Sequence, residues 1–239
     1  MDRPRPPIVA AAHVFVDDLH EPVLSDDDEH HLARVLRLRD GEIVTASDGR
    51  GAVRVCTWRS ARLEPASDVE RTSPPRPAIT IGFALVKGER PEWIVQKLTE
   101  CGVDRVVPFI AARSVVRWDD DKARRHVARW RQISREAAMQ SRRAFLPEVA
   151  EVVSFDEALA VSGALADPGG APPSLSQPGV LIGPEGGWSD SELSSAPARV
   201  ALGPHVLRAE TASVAAGVLL CALRSGVVAG TANREASAS

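Results

Sequence analysis

Three prolines within four residues, Pro74, Pro75 and Pro77 in the stretch RTSPPRPAIT, divide this chain. Each fixes its own φ and lacks a backbone donor, so the run suits an extended linker and neither a helix nor a central strand. The pattern differs on its two sides. Before the prolines, short apolar runs (HVFV at 13–16, EIVTAS at 42–47, AVRVCTW at 52–58) are separated by turn signals, and Asp48-Gly49 between the last two is a hairpin signature. After them, strand and helix patterns alternate, which points to a parallel sheet with helices on its faces. The expected organisation is a small β-barrel-like domain over residues 1–73, an α/β domain over 76–230 and a disordered tail over 231–239.

One helix interrupts the first domain. Ser25 is its expected N-cap, Asp26 to Asp28 favour its first turn, and Leu32, Val35 and Leu36 form its expected buried face. In the second domain, AITIGFALV reads as a strand and PEWIVQKLTECGV as a helix, with Pro91 in its first turn and Gly102 at its C-terminal cap. VDRVVPFI is the next strand. A long helix is expected from Asp119 to Arg143, burying Val127, Trp130, Ile133 and Ala137 and turning its arginines outward. DPGGAPPSLSQPG, residues 167–179, reads by composition as a loop without fixed structure. Then GVLIGPEGGWSDSEL gives a buried strand, a Gly-rich turn and a helix with Asp190 and Glu192 in its first turn. RVALGPHVLRAETASVAAGVLLCAL gives another strand, a Gly-Pro turn and an apolar last helix.

The chain has 239 residues, with 29 basic and 32 acidic side chains and a formal charge of -3. That total speaks against a polyanionic partner until the charge is read by region. From Asp17 to Glu29 there are acidic residues and no Lys or Arg. From Lys122 to Arg143 eight basic side chains face one acid, Glu136. Such asymmetry fits nucleic-acid contact on one side, or a solvated helix face. Lys87, Lys97 and Lys122 are the only lysines, so nearly all the positive charge is arginine, the side chain best suited to grip phosphate. Cys56, Cys101 and Cys221 form no CxxC pair, which argues against a disulfide scaffold and a zinc cluster and for a reducing, cytoplasmic setting. His30 and His31 have no matching ligands elsewhere, so no metal is expected. The longest apolar run, near Ala212 to Leu223, is too short to span a bilayer, and no signal peptide is read at the start.

Two turns, Gly183-Pro184-Glu185-Gly186-Gly187 and Leu202-Gly203-Pro204, each follow an apolar strand late in the chain. In a parallel α/β sheet ligands bind beyond the carboxyl ends of strands, and glycine there lets a ligand approach the backbone. Two tight turns of purely structural use fit the same residues. No GxxxxGK[ST] occurs and no GxGxxG follows a strand, which disfavours a P-loop and a nicotinamide-type fingerprint. Trp58, Trp93, Trp118, Trp130 and Trp188 suit base stacking or core packing.

Five segments together carry a resemblance: H-x-x-x-VLR from His31 to Arg37, QKLTECGV from Gln96 to Val103, EAAMQSRR from Glu136 to Arg143, LIGPEGGWSDSEL from Leu181 to Leu193, and LGPHVLRAETA from Leu202 to Ala212. In this order, over nearly the whole chain, they resemble the RsmE family, small-subunit ribosomal RNA uridine N3-methyltransferases of the SPOUT superfamily. The resemblance implies an N-terminal PUA-like β-barrel that helps hold RNA and a C-terminal SPOUT-type α/β domain whose last segments thread a trefoil knot. It implies S-adenosylmethionine in the knot loops, a homodimer, and 16S ribosomal RNA of the 30S subunit as substrate. Carried over, Leu181, Gly183, Glu185, Gly186, Leu202, Gly203, Val206, Leu207 and Arg208 line the cofactor pocket.

Uridine N3 is a protonated imide nitrogen, so methyl transfer requires loss of that proton and stabilisation of charge on O2 and O4. Arg113, Arg117, Arg142 and Arg208 are candidates for the second task, Arg208 being best placed by the motif; phosphate binding or structural hydrogen bonding are their competing roles. Glu136, Glu185 and Glu210 are the candidate bases, or else accept hydrogen bonds at turns and helix starts while water takes the proton. The assignment carried forward has Arg208, Glu185 and Arg113 as catalytic and His31, Arg37, Arg117, Arg135, Arg142 and Arg143 as RNA contacts. This chain departs from the family in having His13 where members often carry Arg, and in a short connection between Phe155 and Leu181. Rival readings are a non-catalytic RNA-binding or ribosome-assembly protein of the same fold, and another SPOUT methyltransferase.

Overall fold

The computed structural model describes residues 10–116 and 118–229; Arg117 and the expected tail at 231–239 lie outside them. The chain falls into two compact units, one running to Pro74 and including Ala138–Leu146, the other comprising Pro75–Ala137 and the chain from Pro147 onward. The proline run lies at this division. Residues 138–146, which the sequence pattern assigns to the second domain, pack with the first.

In the first unit, strands β1 (Ala12–Phe15), β2 (Ile43–Ser47), β3 (Ala52–Arg59) and β4 (Arg62–Pro65) pair in chain order, and β5 (Glu70–Arg71) pairs with β3. β1 and β2 run parallel; the other pairs are antiparallel. The β2–β3 hairpin turns at Asp48-Gly49, where Gly49 has φ 71° and the Asp48 carboxylate accepts the Arg50 and Ala52 N–H groups at 2.7 and 3.0 Å. Val14, Val44, Ala46, Cys56, Trp58 and Leu32 form the core, and Met139 packs against it. Residues 138–146 also pair by backbone: Gly51 N–H donates to Ala144 O and Leu146 N–H to Gly49 O, both at 3.0 Å.

Helix α1 (Asp26–His30) starts at Ser25, whose Oγ accepts the Asp28 N–H at 3.2 Å. At His31 the helix widens into a π-turn over His31–Val35, closed by Leu36 N–H to His31 O at 2.9 Å. This overturns part of the expected buried face: Leu32 is buried, but Val35 is 60% and Leu36 45% exposed. An i→i+5 turn holds one residue more than an α-turn, so side chains three and four positions beyond Leu32 no longer lie on its face.

In the second unit, seven strands form an all-parallel sheet: β6 (Thr80–Ala84), β7 (Arg105–Ile110), β8 (Glu148–Val149), β9 (Val153–Ser154), β10 (Ala164–Ala171), β11 (Gly179–Ile182) and β12 (Ala198–Val200). The order is β12-β10-β11-β6-β7-β8, with β9 also on β7. Five helices follow the strands: α2 (Arg90–Cys101), α3 (Asp120–Gln140), α4 (Phe155–Ser162), α5 (Asp190–Ser195) and α6 (Ala209–Arg224). Ile81 and Phe83 pack with Ile94, Leu98, Trp130 and Leu220 of α2, α3 and α6, whereas Ala84, Phe109 and Leu181 pack with Ala158 of α4 and Trp188. Helices thus cover both faces, and alternation along each strand sorts the two cores.

Two further expectations are corrected. The long helix ends at Gln140, not Arg143, because Arg142 turns left-handed at φ 56° and Arg143 N–H bonds back to Ala138 O at 2.9 Å. Residues 167–179 are not a structureless loop. β10 runs through Asp167 to Ala171, Ala201 N–H donates to Ala171 O at 2.8 Å, and Gln177 Nε2 donates to Ser162 O and Gly179 O at 2.7 and 3.0 Å. Gly170 lies so close to the Arg199–Val200 backbone that a Cβ there would stand at 2.5 Å. The glycines and prolines signal irregular backbone correctly, but here they permit close pairing.

Candidate active site

In the second unit, segments at the carboxyl ends of β10, β11 and β12 surround a cavity of about 510 Å³. In an open parallel sheet this is where ligand sites form. The turn after β11 supplies Gly183, Pro184, Glu185 and Gly187; the turn after β12 supplies Leu202, Gly203 and Val206 to Arg208; and α6 supplies Ala209 and Ala212. Seven of the nine expected cofactor residues therefore line one cavity: Gly183, Glu185, Leu202, Gly203, Val206, Leu207 and Arg208.

The other two do not. Leu181 is fully buried in β11, its side chain filling the space above Gly82 of the neighbouring strand. Gly186 faces Arg113, whose Nη1 donates to its carbonyl at 3.1 Å. The sequence reading overlooked Ala166, Asp167 and Pro168 of β10, which line the cavity because that segment is an ordered strand. It also overlooked Trp188 as a wall. The indole N–H donates to Ala166 O at 2.9 Å and the ring stacks on Phe109 with centroids 6.1 Å apart. A Cβ on Gly183 would reach 3.0 Å from that ring, so glycine is what lets the turn pass over the tryptophan.

Two arginines hold the Gly-rich turn. Arg90, at the start of α2, donates to Glu185 Oε1 at 2.5 Å and stands 3.7 Å from Glu210 Oε2. Arg113, beyond β7, binds the Gly186 carbonyl. The backbone beside Arg113 is anchored in turn, since Ala112 N–H donates at 2.8 Å to Glu192 Oε1 in α5. Among the described residues, Glu185 thus has an arginine partner and no backbone N–H. Arg90 carries no motif signal; its position just after β6 is the clue that sequence reasoning could have used. Among the described residues, the Arg208 guanidinium makes no hydrogen bond or ion pair, and it is exposed where α6 begins.

The expected RNA contacts are spread over the chain. His31 and Arg37 are exposed in and after the π-turn. Arg142 is exposed but directs Nη2 to Ala10 O at 2.6 Å, and Arg135 and Arg143 are half-buried. Glu136 accepts from Gln132 at 2.9 Å. His13 is buried, with Nδ1 2.8 Å from Thr45 Oγ1 and Nε2 3.0 Å from Arg143 O. Both ring nitrogens are occupied, so this side chain is structural and presents nothing to a ligand. Burial, foremost, pulls its pKa down to about 4. Trp58, Trp130 and Trp188 are buried, whereas Trp93 is 44% exposed and Trp118 stacks on His126 at 4.1 Å.

Comparison with known proteins matches this chain to two families. Residues 73–220 match the RNA methyltransferase domain family and residues 24–57 the RNA methyltransferase PUA domain family. The chain is 32% identical over 217 residues to the ribosomal RNA small subunit methyltransferase E of Bacillus subtilis, spanning 79% of this chain and 85% of that protein. It is 35% identical over 230 residues to the protein of the same name from Mycobacterium bovis, spanning 84% and 88%. Among solved structures, a ribosomal RNA small subunit methyltransferase E from Neisseria gonorrhoeae bound to S-adenosyl methionine aligns with a TM-score of 0.71 at 25% identity, over 90% of this chain and 97% of that one.

Proposed function

We propose, from the premise that this chain belongs to the ribosomal RNA small subunit methyltransferase E family, that it methylates N3 of a uridine in 16S ribosomal RNA with S-adenosylmethionine as donor. The observation that carries this reading is the convergence of the two glycine turns on one cavity. Its volume lies within the range of roughly 300–1,000 Å³ usual for small-molecule sites. Trp188, Leu193, Leu202 and Leu207 offer apolar surface for an adenosyl group, and the exposed edges of the two turns offer backbone groups to its polar atoms. Bound there, the donor would supply an electrophilic methyl group.

The remaining work falls to this chain's own side chains. The role proposed for Arg208, which lines the cavity and is exposed, is to stabilise by hydrogen bonding and charge the negative charge that develops on uridine O2 or O4. Arg113, with Nη1 engaged on Gly186, retains donors on the rest of its fork for the same purpose or for phosphate. Glu185 keeps one oxygen on Arg90, which fits a role in holding the turn, and leaves the N3 proton to water. His31, Arg37, Arg117, Arg135, Arg142 and Arg143 are the proposed RNA contacts.

The finer features belong to the same proposal: residues 1–73 as a PUA-like barrel, 76–230 as a SPOUT domain with a trefoil knot, a cytoplasmic homodimer, and uridine 1498 of the assembled 30S subunit as target. A purely RNA-binding role has no use for the cavity. The test is incubation of purified protein with labelled S-adenosylmethionine and either 30S particles or free 16S RNA, followed by nucleoside mass spectrometry. N3-methyluridine at one site in the 30S arm is expected. Absence of any methylated nucleoside in both arms overturns the enzymatic reading.

A further inference from the structure

We infer that Arg90 is a positioning residue for the methyl-donor cavity, tying the glycine turn after β11 to the first turn of α6. The inference rests on the methyltransferase reading above. Arg90 is the first residue of α2, outside all five motif segments, yet its guanidinium meets two of them. Nη1 donates to Glu185 Oε1 at 2.5 Å and is 3.7 Å from Glu210 Oε2, while Nε donates to Lys87 O at 3.2 Å. Glu185 lines the cavity, and Glu210 follows Ala209, which lines it from α6. One side chain therefore bridges the Gly-rich turn and the start of α6, each of which contributes residues to the cavity.

Glu210 strengthens the argument. Its Oε2 is buried and, among the described residues, has no hydrogen-bond partner. A buried carboxylate oxygen without a donor is costly unless a cation stands near, and Arg90 supplies that cation. Nη1 serves Glu185 by hydrogen bond and Glu210 by charge, while Nε of the same planar fork is held on the Lys87 carbonyl, which fixes the direction of the guanidinium. Arg113 holds the same turn through the Gly186 carbonyl, so removal of Arg90 leaves the turn tethered but severs its connection to α6. The Arg90 and Glu185 side chains are 39% and 47% exposed, so their pair contributes little to global stability. Its effect belongs in ligand affinity, where small displacements of binding groups are costly.

The experiment is calorimetric titration of the full-length protein with S-adenosylmethionine, alongside urea unfolding, for wild type, Arg90→Ala, Arg90→Lys, Glu185→Gln and the Arg90→Ala/Glu185→Gln double variant. Arg90→Ala should weaken binding roughly tenfold with its urea midpoint unchanged. Arg90→Lys should recover part of the loss, and the effect of Arg90→Ala should shrink in the Glu185→Gln background. Wild-type affinity in Arg90→Ala, additive losses in the double variant, or loss of affinity matched by loss of folding in both Arg90→Ala and Arg90→Lys would each overturn the inference. Failure of wild type itself to bind removes the methyl-donor reading, and this inference with it.

Discussion

His13 shows what one buried side chain commits the molecule to. Its Nε2 faces a carbonyl, which can only accept, so the neutral ring carries its proton there and Nδ1 takes the hydrogen bond from Thr45. With the folded pKa down to about 4 from an ordinary 6.5, the unfolded chain binds a proton over that interval that the folded chain refuses. Stability therefore falls as pH drops from about 6.5 to about 4, by about 3 kcal/mol for this group, and the loss levels off below. Urea unfolding between pH 7 and 4 should show wild type losing more stability than His13→Gln by about that amount; parallel pH dependences would refute the assignment. At Gly203 the backbone adopts φ 155° beside the cavity. Gly203→Val should abolish S-adenosylmethionine binding in calorimetry while leaving the far-UV circular dichroism unchanged, because it strains a ligand-facing turn and removes no core packing.

At the scale of elements, α4 and α5 carry the same signature, Ser154 with Glu157 and Ser189 with Glu192, each closing a reciprocal capping box. Both were legible in principle as S-x-x-E. Only the folded chain distinguishes them. Glu157 is a surface cap, whereas Glu192 is 4% exposed and also receives the Ala112 N–H, so it anchors the loop that carries Arg113. Ser154→Ala should cost about 1 kcal/mol. Glu192→Ala should cost roughly 2–3 kcal/mol, because it leaves the Ser189 and Ala112 donors unpaired. Equal urea midpoints for the two variants would contradict this ranking. The π-turn and the ordered β10 were illegible for one reason: hydrophobic periodicity assumes a fixed number of residues per turn, and composition cannot see a pairing partner thirty residues away.

For the whole molecule, the first unit is built from two stretches of chain. Residues 138–146 give it the Arg143 and Ala144 carbonyls, the Leu146 N–H and the Met139 side chain. A fragment ending at Pro77 should therefore lack cooperative urea unfolding, and addition of a peptide covering 136–148 should raise its ordered content; a fragment that unfolds cooperatively alone would contradict this. In the second unit the cavity lies between consecutive strands: β10, β11, β12 and the start of α6, all between Ala166 and Ala212, supply its walls, and their parallel course brings the turns after β11 and β12 to one side of the sheet. By itself the sequence determined the α/β class, the change of pattern at the prolines, most helix and strand positions and seven of the residues around the cavity, because propensity, periodicity and motif are local properties. Only the tertiary structure decided that β10 and Trp188 wall the cavity, that Arg90 meets both Glu185 of the Gly-rich turn and Glu210 of α6, that Leu181 and Gly186 stand aside and that His13 is sealed in. Those depend on which distant segments meet, and on the desolvation and hydrogen bonding that meeting imposes.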